Sequence, residues 1–445
     1  MTINGYLAKS SVVAALGGLL FGFDTAVISG ATSALRIQYS LTDATLGATV
    51  SAALVGTILG AMFGGIPGDR YGRRNSLRLT AVLYLVSALG CAFAFNWYSF
   101  VLARFIGGLG IGASSVLGPM YIAEISPAKW RGRLVAFFQF NIVAGILVAY
   151  LSNYLIGLAG LGETEWRWKL GVSAFPALLF LGMLFVIPRS PRWLVSNNRT
   201  VEARTVLVEI GEENIEAELK QMVDSVHLDR SQAEPLFQAK FRLPVFLAIS
   251  IGMFNQLSGI NAILYYLNDI FAKAGFTKVS GDLQAVAIGA TNLLFTVIAM
   301  SIIDKLGRKK LLLVGAVGTA MCLAGVAAVF ASGSHENLLV WLLVGFIAFF
   351  AFSQGAVIWV YLSEVFPTRV RAKGQSLGSF THWAMNALIS WAFPILAAKS
   401  KPIPFAFFAA MMVVQFFVVL TVYPETSGVT LEDMEGQMGK RMATH

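Results

Sequence analysis

The sequence predicts an all-α integral membrane protein with twelve transmembrane helices in two pseudo-symmetric six-helix halves, plus short cytoplasmic helices. Three observations predict this class. Hydrophobic residues make up 56% of the 445 and charged residues only 13%, with a mean hydropathy of +0.70. A soluble domain is about half apolar and a quarter charged. Twelve apolar runs can be drawn, six on each side of the one long polar segment. Three charged motifs recur between the two sets of six. The same composition excludes a disordered chain, which needs low hydrophobicity and high charge.

A helix needs about 20 apolar residues to cross the hydrocarbon core. In chain order the runs fall at about 8–31, 46–68, 77–95, 99–122, 134–157 and 170–188, then 244–272, 283–303, 310–332, 338–363, 374–398 and 403–423. The first holds GGLLFGFD at 17–24 and has no small-residue cleavage site after a short apolar core. It reads as a span, not a removed signal peptide. The second runs into a basic loop, DRYGRR at 69–74. The third carries Cys91, the fourth Arg104, and the fifth Gln139. The sixth ends at Pro188. Residues 189–243, polar with helical stretches such as Glu212–Met222, form an amphipathic linker at the membrane surface. The seventh holds NQLSGIN at 255–261, Tyr265 and Tyr266, with Asp269 as a rim residue near its outer end. Asn292 lies in the eighth, Cys322 in the ninth, Trp359 in the tenth, and His382, Trp383 and Asn386 in the eleventh. The twelfth ends at Pro424. The domains are therefore 1–188, 189–243 and 244–424, with a cytoplasmic tail at 425–445. Cys91 and Cys322 read as buried thiols and say nothing of redox compartment.

Basic residues orient the spans. With both termini in the cytoplasm, 25 of the 33 lysines and arginines fall on inner segments and seven on outer ones, with Arg104 inside a span. The net charge of +9 is thus the inside bias, and no nucleic-acid surface is expected. The segment EISPAKWRGR at 124–133 recurs as EVFPTRVRAK at 364–373, offset by 240. DRYGRR at 69–74 recurs as DKLGRK at 304–309, offset by 235, and Pro188 to Ser190 as Pro424 to Thr426, offset by 236. Each member follows the second, fourth or sixth helix of its half, which is the parallel-repeat architecture of major facilitator transporters. The repeated charges Asp69, Arg73, Glu124, Arg131, Asp304, Arg308, Glu364, Arg371 and Glu425 are expected to form an inner salt-bridge network. Cross-pairing between halves would hold the inner side shut while the outer side is open.

GGLLFGFD in helix 1, the Gly65 to Arg74 loop, PRSPRWL at 188–194, NQLSGIN in helix 7 and PET at 424–426 together closely resemble the sugar porter family of the major facilitator superfamily, of the bacterial proton-coupled type. The resemblance covers the whole chain. The loop alone indicates the superfamily, whereas the helix 7 motif and the PRSPRWL segment are specific to sugar porters. Asp24 is the only acid in the middle of an N-half span and Arg104 the only base, and charges at such depth are costly and functional by default. Burial disfavours an ionised carboxylate and a nearby guanidinium favours it. Movement of the arginine would therefore switch the acid between loaded and empty. The resemblance implies proton coupling through this pair.

A sugar presents hydroxyls above flat C–H faces. Amides donate and accept at once, and aromatic faces cover the C–H patches. By resemblance, Gln139, Gln256, Asn261, Asn292 and Trp359 match sugar-binding positions. Trp383 matches an aromatic near the site, and Tyr265 and Tyr266 match the aromatic gate. Asn386 is a further polar residue in an apolar span. Four departures bear on substrate identity. Asn255 stands where a glutamine is usual and leaves room for another group or a water. His382 stands where Asn or Gln is usual. Ala356 follows Gly355 where a Gly-Pro pair is common, so helix 10 should bend less. Arg189 replaces the glutamate of the usual P-E-S-P-R-W-L, which puts one inner acid–base contact in doubt.

The function implied is import of a monosaccharide, hexose or pentose, with a proton by alternating access. The alternatives are a facilitative uniporter and a sugar sensor. A sensor typically adds a long tail, and only about 20 residues follow Pro424. No metal spacing, P-loop or nucleophile elbow appears, so neither an enzyme nor a cofactor is expected. The expected protein is a monomer in the bacterial inner membrane.

Overall fold

Helix accounts for nearly all of the described chain. The structure is a computed structural model and describes residues 4–212, 214–228, 234–367 and 370–427. The expected tail beyond Ser427 and the inner basic residue Arg369 lie outside the described residues. The first helices are α1 (Gly5–Val27), α2 (Thr32–Gln38), α3 (Asp43–Phe63), α4 (Gly65–Tyr71), α5 (Arg73–Ala92), α6 (Trp97–Ile125) and α7 (Ala128–Leu158). Next come α8 (Glu165–Gly171), α9 (Ala174–Met183), α10 (Pro191–Ser196), α11 (Thr200–Glu209) and α12 (Ile215–Leu228). Then follow α13 (Arg242–Leu257), α14 (Ile260–Tyr265), α15 (Leu267–Lys273), α16 (Lys278–Leu306) and α17 (Arg308–Ser332). The last are α18 (Leu338–Phe350), α19 (Ala356–Glu364), α20 (Arg371–Lys399) and α21 (Pro402–Thr421).

Ten segments are long and apolar enough to cross a membrane among the described residues. The other two expected crossings are present but altered. The sixth is split into α8 and α9, because Pro176 in the first turn of α9 has no N–H to continue a helix through it. The eleventh is α20, 29 residues long but diluted by buried His382, Asn386 and Ser390.

The chain packs as two units. One comprises Met1–Val27, Ala52–Ser152 and Gly160–Ala233; the other comprises Ile28–Ser51, Asn153–Ala159 and Glu234–His445. In the first, helices meet backbone to backbone through small residues, as membrane helices do when no hydrophobic drive separates them from lipid. A Cβ at Gly22 of α1 would lie 1.8 Å from the Ile142 carbonyl oxygen of α7, and one at Gly108 of α6 would lie 1.9 Å from the Ala53 carbonyl oxygen of α3. Among its described residues the linker holds three short α-helices, α10, α11 and α12. Ser190 caps α10, accepting from the Trp193 N–H at 3.2 Å, and Pro191 sits at its first position. Leu194, Val206, Leu207 and Leu219 then join a core with Leu7, Tyr121 and Ile125.

In the second unit the seventh crossing runs in three pieces, α13, α14 and α15. Gly259 has φ +80° at the first break, and a Cβ there would lie 2.3 Å from the Phe408 ring. Only glycine combines that backbone with that neighbour. The tenth crossing is interrupted just before Ala356. Residues Ala351–Gly355 form a π-helical turn between α18 and α19, and such turns are frequent at functional sites.

Candidate transport site

In the first unit, α1 presents Asp24 and α6 presents Arg104. Arg104 Nη1 donates to Asp24 Oδ1 at 2.7 Å. The side chains are 15% and 4% exposed, so this is a buried ion pair and not a surface one. Asp24 Oδ2 is also buried and has no hydrogen-bond partner among the described residues. Around the pair, Tyr84 shares a 2.8 Å hydrogen bond with Ser114, and Cys91 is buried. Gln139 lies part-buried on α7 in the same unit.

In the second unit two of the expected amides, Asn255 and Asn261, meet Gln256. Its Nε2 donates to Asn255 Oδ1 at 3.2 Å and lies 3.2 and 3.3 Å from the two ring nitrogens of His382. Its Oε1 accepts from Asn261 Nδ2 at 3.2 Å. Asn255 Nδ2 donates in turn to the Gln354 carbonyl at 3.4 Å, so the shorter side chain is held by the π-turn. The His382 ring meets two tryptophans, with centroids 5.2 Å from Trp359 and 4.9 Å from Trp383. Trp359 is 37% exposed, whereas Asn255, Gln256, His382 and Trp383 are buried.

A second cluster adjoins along α20. Asn386 Nδ2 donates to the Tyr265 hydroxyl at 3.3 Å, Ser390 Oγ donates to Asn386 Oδ1 at 3.1 Å, and the Tyr266 hydroxyl donates to the Ser390 carbonyl at 2.9 Å. Tyr266 also stacks on Phe393, with centroids 5.3 Å apart. Both tyrosines of the expected gate are therefore buried and engaged. Asn292 is buried on α16 and shares none of these bonds among the described residues. Asp269, expected on the rim, accepts from Ser33 Oγ at 3.1 Å.

Sequence reasoning missed Gln354, whose Oε1 is buried without a hydrogen-bond partner among the described residues, and Ser390, which links Asn386 to Tyr266. A lone amide five residues before Trp359 in an apolar run was the available signal for Gln354. Lys169, counted among the outer charges, is fully buried and paired with Glu165 at 2.8 Å.

The repeated charges form one cluster in each unit. In the first, Arg73 reaches Asp69 at 2.8 Å and Glu124 at 3.0 Å, and Ser190 donates to Glu124. In the second, Arg308 reaches Asp304 at 2.9 Å and Glu364 at 2.8 Å. Two expected members do something else. Glu425 accepts the backbone N–H groups of Arg308 and Lys309 at 2.8 and 3.1 Å. It caps the start of α17, where the first N–H groups have no partner within the helix. Arg131 donates through Nε to the Ala123 carbonyl at 3.1 Å, satisfying a carbonyl near the end of α6 and not a carboxylate. Arg371 Nε lies 3.4 Å from the Phe366 carbonyl.

A family model described as "Sugar (and other) transporter" matches residues 10–437. The chain belongs to this sugar transporter family. It is 36% identical over 440 residues to an arabinose-proton symporter of Bacillus subtilis, covering 97% of this chain and 95% of that one. To a D-xylose-proton symporter of Escherichia coli it is 34% identical over 470 residues, covering 97% and 96%. Among solved structures, the inward-open conformation of the xylose transporter from E. coli superposes with a TM-score of 0.87 at 34% identity, covering 97% of this chain and 100% of that one. This sugar transporter therefore has the twelve-helix major facilitator fold, is a multi-pass membrane protein, and is a transporter and not an enzyme.

Proposed function

We propose that this protein imports a monosaccharide together with a proton by alternating access, across the cell inner membrane with both termini in the cytoplasm. The observation that carries the reading is the Asp24–Arg104 pair. One carboxylate oxygen is held by the guanidinium at 2.7 Å, and the other is buried with no hydrogen-bond partner among the described residues. That second oxygen is where a proton binds. A protonated Asp24 no longer holds Arg104 as a charge partner, and return of the guanidinium expels the proton. The sugar binds at the Gln256, Asn261 and Trp359 surface of the second unit. The named activities of the arabinose-proton and D-xylose-proton symporters support the reading.

The test is sugar-induced alkalinisation of a weakly buffered medium outside proteoliposomes, with arabinose, xylose and glucose as probes. Alkalinisation with at least one of them is the expected result. Exchange of sugar without proton uptake would leave Asp24–Arg104 as a structural pair and make the protein a uniporter.

A further inference from the structure

Arg74 and Arg78 of α5 reach carbonyls just beyond the end of α9, Arg189 follows two residues after one of these, Ile187, and among the described residues no carboxylate pairs with any of the three. Arg74 and Arg78 are one turn apart on α5. Arg74 Nη1 donates to the Ile187 carbonyl at 2.9 Å. Arg78 donates to the Leu184 carbonyl from Nε at 3.3 Å and Nη2 at 3.1 Å, and to Asn75 Oδ1 from Nη1 at 3.1 Å. The Arg189 guanidinium lies 5.7 Å from the centre of the Trp193 ring. The like charges of Arg78 and Arg189 both act on Arg74, and that of Arg189 acts on Arg78. Among the described residues no carboxylate is paired with any of the three. Glu124 is engaged by Arg73 and Ser190. Arg74 Nε is buried without a hydrogen-bond partner among the described residues.

Three like charges in one place repel, and their backbone partners supply dipoles but no counter-charge. The neighbouring surface is apolar. Phe185 is 62% exposed and Val186 is 53% exposed, and the Arg78 guanidinium lies 4.1 Å from the Phe185 ring centre. Guanidinium forks match phosphate oxygens geometrically and are weakly hydrated. A free phosphate would answer the charge alone. A lipid answers both features, its phosphate meeting the arginines and its acyl chain covering Phe185 and Val186. Basic pockets at the cytoplasmic ends of membrane helices attract anionic headgroups in this way.

We propose that Arg74, Arg78 and Arg189 bind the phosphate headgroup of an anionic lipid, with Phe185 and Val186 against its acyl chain. The test is native mass spectrometry of the full chain, delipidated in detergent and titrated with phosphatidylglycerol or phosphatidylcholine. The parent should retain one phosphatidylglycerol that phosphatidylcholine does not replace. Arg189→Glu supplies an internal counter-charge while leaving the carbonyl contacts of Arg74 and Arg78 in place, and should weaken that retention about tenfold. Arg189→Gln should weaken it less. Arg204→Gln, an exposed arginine of α11 paired with Glu216, should change nothing. Unchanged retention in Arg189→Glu overturns the site. Equal retention of phosphatidylcholine, or displacement of phosphatidylglycerol by millimolar inorganic phosphate, overturns the lipid assignment. Lipid retention is read without sugar, so its outcome stands apart from that of the transport assay.

Discussion

At the scale of single residues, Asp24 and Arg104 stand 80 positions apart in the chain and 2.7 Å apart in space. Asp24→Asn mimics the protonated acid, so it should keep sugar exchange and lose accumulation against a gradient. At a membrane potential of 100 mV each coupled charge adds roughly 2.3 kcal/mol of drive, or about fiftyfold in the accumulation ratio. Counterflow and uphill uptake, measured side by side, separate the two effects. Removing the other partner is a different perturbation. Arg104→Gln leaves a buried carboxylate without its counter-charge, a loss of about 3–5 kcal/mol when a buried pair is broken from one side. Its thermal midpoint in detergent should fall, and adding Asp24→Asn should restore part of it. In the second unit, Gln256 joins Asn255, Asn261 and His382. Gln256→Ala should therefore weaken sugar binding more than Asn261→Ala. Each lost neutral bond is worth about 0.5–1.5 kcal/mol, and a buried partner left unpaired costs more. Binding equal to the parent's in both variants, read by calorimetry, would remove these amides from the site. The type of each of these residues was legible as a polar group in an apolar run. The Gln256–His382 contact was not, because 126 residues separate the two.

At the scale of elements, the decisive feature is where helices stop. The NQLSGIN run reads as part of one continuous span, yet it spans the end of α13 and the start of α14, with Gly259 at φ +80° between them. That break lets Gln256 and Asn261 come within hydrogen-bond reach of each other. Gly259→Ala meets both a left-handed backbone and the Phe408 ring 2.3 Å away. The backbone alone costs roughly 1–2 kcal/mol, so the thermal midpoint should drop. Phe408→Ala in the same chain should recover only the steric part. A midpoint unchanged by Gly259→Ala would show that the break relaxes freely. The break was hidden in the sequence because a lone glycine in an apolar run reads equally as packing and as a turn. The split of the sixth crossing at Pro176 follows a rule that proline states on its own.

At the scale of the whole molecule, the repeated charges and the inside bias make two separable forecasts. Arg308 is held by Glu364 at 2.8 Å within the second unit, and Thr426 donates to the same carboxylate at 2.6 Å. Glu364→Gln should weaken this cluster and lower net transport, and spectroscopic distance pairs across the basic face should shift with it. Unchanged distances and rates would reduce the cluster to anchoring. The orientation has its own test. In a chain with Cys91 and Cys322 replaced by serine, a membrane-impermeant maleimide should label Ser334→Cys in intact cells, and Glu202→Cys only after permeabilisation. The reverse pattern would invert the topology.

The sequence by itself determined the class of molecule, the number of crossings, the internal repeat and the place of Asp24 and Arg104 in apolar runs. These are set by hydropathy, charge placement and period, which act locally along the chain. Tertiary structure alone decided which charges close on which. Arg131 turned to a carbonyl and Glu425 to backbone N–H groups, because unpaired groups at helix ends compete with carboxylates and guanidiniums for the same partners. It also decided that Gln354 joins the amide cluster through a π-turn, and that Arg74 and Arg78 hold carbonyls beside Arg189 with no carboxylate paired to them among the described residues. Such contacts depend on how helices distant in sequence pack together, and no periodicity within a helix encodes that.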